Sequence, residues 1–265
     1  TRRVGHAGTL DPAATGVLVV CINSATRLSE YLMATAKRYR AEVHLGRETT
    51  TYDADGEIVA EQSVSHLSDS AIREALSRFV GTMEQIPPIY SAIRQGGRKL
   101  YELAREGRQV TPQARTVTIE QIELLAWRPP IATLDIICGH GTYIRSIAHD
   151  LGAQLGIGGS LSGLVREASG RFLRSDAVPL GELEASQEPW RWLISPRQAL
   201  TGFPMITVTD DEETALRQGK AIPAADHLLP SEGPIFAQTA GGDLAAVLYG
   251  DGDNLRPHKV FSTSE

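Results

Sequence analysis

The sequence predicts an α+β chain, on the strength of two periodicities and one change of character. Ala41, Val43 and Leu45 alternate with polar residues, and strand-like runs recur over 115–126 and 132–138. This is the period of a half-buried strand. Leu28, Tyr31 and Leu32 share one face of a helix expected over 25–36, with Asn23 or Ser24 as its cap. A second, amphipathic helix is expected over 69–80, ended by Gly81. Near residue 200 the character shifts to short strands, turn signals such as Gly241-Gly242-Asp243 and Asp251-Gly252-Asp253, and one helix near 211–218. The expected division is therefore a large domain over 1–200 and a small β-rich domain over 201–265.

Composition narrows the function classes. The chain has 265 residues, and a hydrophobic fraction of 42% suffices for a full core. No apolar run reaches the length of a membrane span, and no signal peptide is expected. Cys21 and Cys138 lie in apolar runs without metal-ligand spacing, as expected of buried thiols in a reducing, cytoplasmic setting. The formal charge of −6 is uneven. Residues 1–200 hold 22 basic and 22 acidic side chains, whereas 201–265 hold 4 and 10. Within the neutral part, basic residues cluster at Arg2 and Arg3, at Lys37, Arg38 and Arg40, at Arg94, Arg98 and Lys99, and at Arg105 and Arg108. Such clusters suit phosphate neutralisation, although each one alone is equally a solvated face.

The stretch that carries chemistry lies near the start, GHAGTLDPAATGVL over 5–18. Pro12 disfavours the α region for Asp11, which puts the carboxylate on a turn or extended loop. Gly5, Gly8 and Gly16 allow close backbone approach. The apolar run Val17 to Ile22 follows and reads as a buried strand. Asp-Pro is also an ordinary turn former, so loop chemistry alone leaves Asp11 open.

Tyr39 sits on the apolar face of the strand expected over 37–46, as a core aromatic or as a site residue. Residues 49–56 form a polar turn; Asp53-Ala54-Asp55-Gly56 lacks the further ligands of a calcium loop. Two prolines, Pro87 and Pro88, exclude a central strand and open a long loop, followed by a short basic helix over 99–106. In GTYIRS, a strand ending at 141–145 would put Tyr143 and Arg145 on one face. An arginine there can pair bidentately with a carboxylate or make a structural ion pair at a helix start.

The first motif resembles the active-site motif of the TruB family of pseudouridine synthases, with Ala7 where that pattern usually carries Thr. KRYRAEVHLG, TTTYDADG, QIPPIYSAI, GTYIRS…DLG and LSGLVR are similar to further segments of that family, in the same order over residues 4–167. The resemblance implies a mixed, mainly antiparallel sheet flanked by helices and a small PUA-like C-terminal domain. It also implies an RNA-clamping insertion at about 85–110 and a strand and helix ahead of Thr1, where the chain opens without Met. The activity implied is that of the stand-alone bacterial type, conversion of uridine 55 in the tRNA T loop to pseudouridine without cofactor or metal. Asp11 would be the catalytic carboxylate, Arg145 its orienting partner, and Tyr39 the tyrosine that stacks on the uracil. Tyr143, Leu164, His6 and Asp53 would bind or order the substrate. Lys37, Arg38, Arg94, Lys99, Arg105 and Arg166 would contact RNA. The expected partner is the T stem-loop of tRNA, with no membrane, no obligatory protein partner, and a monomeric chain. The acidity of 201–265 departs from an RNA-binding tail. An RNA-binding protein without chemistry, and an Asp-nucleophile hydrolase needing a second carboxylate, are the competing classes.

Overall fold

The structure is a computed structural model that describes residues 3–91, 93–106, 110–224 and 233–262; the side chains of Arg94, Lys99, Ala104 and Arg105 lie outside that description. The chain divides into two compact units that do not follow the expected boundary at 200. One comprises 8–18 and 33–176; the other comprises 1–7, 19–32 and 177–265.

The first unit is built on a seven-stranded sheet. Its order is Phe172–Leu173, Gly159–Ser169, Lys37–Leu45, Ile131–Cys138, Arg115–Arg128 and Gly81–Gln85, with Thr15–Gly16 paired to Gly159–Ser169. All pairings are antiparallel except that of Thr15–Gly16, so the sheet is mixed and mainly antiparallel as expected. The alternation in Lys37–Leu45 points Ala41, Val43 and Leu45 into the core, where each is fully buried. Ile72, Ala75 and Leu76 of the helix Asp69–Ser77 and Ile144, Ile147, Ala148 and Leu151 of the helix Ile144–Gln154 cover the same core. Ser68 caps the first of these helices by accepting from the Ala71 N–H. Gly152 lets the second helix lie against the sheet: a Cβ there would stand 2.1 Å from the Gly158 carbonyl carbon.

The second unit carries a five-stranded sheet in the order Met205–Thr207, Ile235–Gln238, Leu244–Asp251, Asn254–Val260 and Ile222–Pro223. The helix Asp210–Arg217 packs on it and is closed by a Thr209/Glu212 capping box. The early segments 1–7 and 19–32 belong to this unit because Tyr31 meets the Phe236 ring edge-on at 5.3 Å and Arg27 donates to the Val260 carbonyl.

Three local expectations change. The run Val17 to Ile22 is not one buried strand: Val17 is buried, but Leu18 and Val20 are exposed, and only Val20–Ile22 is a strand, paired with Val4–His6. The helix over 25–36 is a 3₁₀ stretch, Asn23–Leu28, followed by one α-helical turn, Ser29–Met33. The N-cap position is Ile22, so Asn23, at φ 55°, and Ser24 lie inside the 3₁₀ stretch rather than ahead of it. No strand runs over 141–145: the sheet strand stops at Cys138, and Tyr143 is the N-cap of Ile144–Gln154.

Candidate active site

The Asp11 loop is shaped by a single residue of the neighbouring strand. Gly16 pairs in parallel register with Arg166, and the Val17 N–H donates to the Arg166 carbonyl at 2.9 Å. The Arg166 side chain then reaches back across the same loop. Its Nε donates to the Val17 carbonyl at 2.7 Å, and its two terminal nitrogens donate to the Gly8 carbonyl at 3.1 Å and the Thr9 carbonyl at 3.4 Å. A tight turn, Ala14 N–H to Asp11 carbonyl at 2.9 Å, carries the carboxylate at its start. Gly16 has φ +102°, and a Cβ there would stand 2.3 Å from the Arg166 carbonyl oxygen, so only glycine fits.

Arg145, second residue of its helix, receives the Asp11 carboxylate side-on. Nε donates to one carboxylate oxygen and one terminal nitrogen to the other, both at 3.0 Å. That same nitrogen donates to the Tyr90 carbonyl at 3.0 Å. The other terminal nitrogen donates to the Thr51 carbonyl at 3.4 Å and pairs with the Asp53 carboxylate at 3.3 Å. Four hydrogen bonds and one further ion pair thus surround a guanidinium that has five N–H groups. The Arg145 side chain is only 7% exposed, whereas that of Asp11 is 37% exposed. The arginine is a buried anchor, and the carboxylate faces the place where a reactant would enter.

The start of this helix is fixed by two residues of the quoted motifs that were not singled out as site candidates. Buried Gln85 accepts from the Tyr143 N–H at 2.8 Å and donates to the Tyr143 carbonyl at 3.1 Å. Ser146 donates to the Ile86 carbonyl at 2.8 Å. The turn bearing Asp53 is held similarly, with Asp53 accepting from the Thr51 hydroxyl and from the Asp55 N–H.

Tyr39 and Leu164 are half-buried and pack at the margin of the main core. Burial pushes the Tyr39 phenol above its ordinary pKa; Arg166 opposes the shift and Asp11 adds to it. The Tyr143 phenol is likewise raised by burial, with Arg145 opposing and Asp11 adding. Both tyrosines therefore share an electrostatic environment with the Asp11–Arg145 pair.

The residues expected to touch RNA divide differently. Lys37 is buried and donates to the carbonyls of Met33 at 2.6 Å and Thr35 at 2.5 Å, so it fastens the chain ahead of the Tyr39 strand. Burial lowers its pKa to about 8. Arg166 is 1% exposed and bound to backbone carbonyls, which takes it out of reach of a phosphate. Arg38 is exposed and pairs with Asp135 at 2.9 Å. The side chains of Arg94, Lys99 and Arg105 lie outside the described residues. His6 is an exposed residue of the strand Val4–His6, opposite Val20. Among the described residues no group of three His, Cys, Asp or Glu side chains could hold a metal ion, and no helix is long and apolar enough to cross a membrane.

A central antiparallel sheet presenting a loop-borne aspartate to a buried arginine defines a sheet-based enzyme with a carboxylate at its centre. Comparison with known proteins specifies it. Residues 1–144 match the TruB family pseudouridylate synthase, N-terminal domain. The chain is 43% identical to tRNA pseudouridine synthase B of Dehalococcoides mccartyi (strain ATCC BAA-2266 / KCTC 15142 / 195), over 98% of this chain and 87% of that protein. It is 45% identical to tRNA pseudouridine synthase B of Symbiobacterium thermophilum, over 83% of this chain and 74% of that one. The fold is shared with a chain of a Cbf5-Nop10-Gar1 complex, at TM-score 0.74 and 24% identity, over 98% of this chain and 77% of that one. It is also shared with a chain of an H/ACA RNP bound to a substrate RNA containing 2'-deoxyuridine, at TM-score 0.73 and 23% identity, over all of this chain and 78% of that one. This chain belongs to the TruB family of pseudouridylate synthases.

Proposed function

We propose that this chain isomerises uridine 55 in the T loop of tRNA to pseudouridine, with Asp11 as the catalytic carboxylate. The observation that carries the reading is the side-on pair between half-exposed Asp11 and buried Arg145, within a family of pseudouridylate synthases. The target base must leave the stack before its C1′ and C5 can be reached. The N1–C1′ bond then breaks, the uracil turns, and C5 bonds to C1′. The C5 proton leaves and N1 gains one, so atoms and charge balance without an external reagent. Asp11 acts at the ribose, by attack on C1′ or by removing a ribose proton; both routes use the same aimed carboxylate. Arg145 orients Asp11 and balances its charge in a water-poor setting. Tyr39, kept a neutral phenol by burial, stacks on the uracil; accepting the C5 proton would require it to release its own in the same step. Leu164 lies on the same strand pairing and packs beside the base. Tyr143 borders the site, and Asp53 holds the far edge of Arg145. His6 props the space the base leaves, and Arg38 with Arg94, Lys99 and Arg105 contacts the T-stem phosphates. The chain acts as a monomer, without cofactor, metal or obligatory protein partner.

The test is tritium release from a T-arm stem-loop labelled at C5 of uridine. The chain should release tritium, and Asp11→Asn should release none while binding the stem-loop with similar affinity. A folded chain that binds the stem-loop without release would leave an RNA-binding protein and end the enzyme reading. Release of free uracil would favour a hydrolase instead. Asp53 is a poor acid partner for that reaction, because it is ion-paired with Arg145 and already accepts from the Thr51 hydroxyl and the Asp55 N–H.

A further inference from the structure

Beside the catalytic pair lies an aromatic contact that no motif explains. The Tyr52 ring stacks on the His149 imidazole with centroids 3.9 Å apart and planes 12° from parallel. Tyr52 also has φ 64°, in the left-handed region. A bulky residue adopts that conformation at a cost and keeps it only where its surroundings enforce it. The backbone on either side of Tyr52 is pinned: its N–H donates to the Thr49 carbonyl at 3.3 Å, and its carbonyl accepts from the Leu161 N–H at 2.9 Å.

The position of this residue is what matters. Tyr52 stands between Thr51 and Asp53, the carbonyl and the carboxylate that receive one terminal nitrogen of Arg145. His149 stands four residues after Arg145 on the same helix, hence on the same face one turn along. The contacts therefore close a ring. It runs from Arg145 along the helix to His149, across the stack to Tyr52, through the turn to Thr51 and Asp53, and back to Arg145.

His149 offers the ring its flat face rather than a hydrogen bond. Its Nδ1 is buried without a hydrogen-bond partner among the described residues, 3.9 Å from the Glu48 carboxylate. Asp150 also faces it electrostatically.

We infer that the Tyr52–His149 stack is a positioning clamp: it holds residue 52 in the left-handed conformation that presents Thr51 and Asp53 to Arg145, and so aims Arg145 at Asp11. Neither residue touches the reacting atoms. The inference rests on Asp11 chemistry as proposed above, and its test includes a readout that does not depend on activity.

The experiment compares five proteins: wild type, His149→Ala, His149→Phe, Asp53→Asn, and the double variant of His149→Ala with Asp53→Asn. His149→Phe serves as the conservative rescue, since it restores a flat ring. Single-turnover pseudouridine formation in His149→Ala should fall about tenfold or more, because small misplacements of a catalytic group carry such losses. Stem-loop affinity should stay within about twofold, because no RNA contact is removed. His149→Phe should recover most of the rate. In the Asp53→Asn background, His149→Ala should cost little more, because both changes act through the same edge of Arg145. Independently, the Arg145 Nε–H signal in the free protein should exchange with solvent about tenfold faster in His149→Ala than in wild type. Full multiplication of the two rate losses, or an unchanged rate with unchanged Nε–H exchange, overturns the clamp. If wild type forms no pseudouridine, the functional reading fails, and the exchange measurement still decides whether the stack holds Arg145.

Discussion

Arg166→Met separates two roles that the residue type alone confuses. An arginine in an RNA enzyme invites assignment to phosphate, yet this guanidinium is buried and donates to the carbonyls of Val17, Gly8 and Thr9. Methionine keeps much of the volume and removes the donors. The 2.7 Å bond to Val17 and the 3.1 Å bond to Gly8 are well formed, whereas the 3.4 Å contact to Thr9 is marginal. Two carbonyls left without their donor cost roughly 1–3 kcal/mol each. Part of that is offset because a charge no longer needs to be buried. A net loss of about 3 kcal/mol follows, which lowers Tm by roughly 6–12 °C in a chain of this size. The loop that loosens carries Asp11 two residues beyond Thr9, so turnover should drop by about a hundredfold. The deciding assay is the salt dependence of stem-loop binding. A loop brace leaves the slope of log K against log salt unchanged, whereas loss of one phosphate contact reduces it by about 0.7–0.9. A variant with wild-type Tm and turnover but a reduced slope would refute the bracing role and return Arg166 to the RNA surface.

Other consequences are equally direct. Gly16→Ala would place a Cβ 2.3 Å from the Arg166 carbonyl at φ +102°, so it should lose roughly 3 kcal/mol in urea unfolding and nearly all activity; wild-type stability would contradict the loop geometry. Lys37 has its pKa lowered to about 8 by burial, against 10.5 for the free side chain. Between those values the unfolded chain binds more protons, so this contribution to stability is complete above 10.5 and is lost as pH falls through 8. Relative to Lys37→Met, wild type should therefore gain up to about 3 kcal/mol between pH 7.5 and pH 10.5 in urea titrations, and a flat difference would contradict the shift. Burial pushes the Cys138 thiol from 9.0 to about 11 and raises Cys21 as well. Iodoacetamide at pH 8.5 should then leave both unmodified in the folded chain and alkylate both in urea; rapid labelling of the folded chain would show that they are not shielded.

The parts legible in the sequence are those with a local cause. Lys37–Leu45 alternates because one face of a strand meets the core, and the pattern survives in the order of residues alone. Pro12 made the turn at Asp11 legible, but loop chemistry left the role of the carboxylate open, and only the resemblance of the whole motif singled it out. The helix start at Ile144 was misjudged although its signal was present: Ile144, Ile147, Ala148 and Leu151 are spaced for one helix face and all are buried. The preceding Gly-Thr-Tyr extends an apolar strand run, and the switch of period falls within two residues of Arg145. The expected strand and the observed helix both orient Arg145, but only the helix places His149 one turn behind it. The boundary at 200 rested on composition, whereas compactness is decided by packing partners such as Tyr31 and Phe236, 205 residues apart in the chain. No local pattern announces such a pair.

Buried polar residues were the least legible, and the reason lies in their partners. Arg166 and Gln85 bind backbone groups, and every residue other than proline offers the same N–H and carbonyl. A partner without a side-chain identity leaves no trace in the sequence. The same fact explains why the Asp11 loop is made of small residues. Its shape is set by carbonyls delivered to Arg166 and by a glycine pressed against the Arg166 backbone, so bulk on the loop would interfere without adding a contact. The two central arginines therefore divide the work by the acceptors they meet. Arg166 takes carbonyls and sets where the loop runs, while Arg145 takes two carboxylates and two carbonyls and sets where Asp11 points. With path and direction governed by separate residues, the carboxylate has little freedom left except to meet what approaches its exposed side.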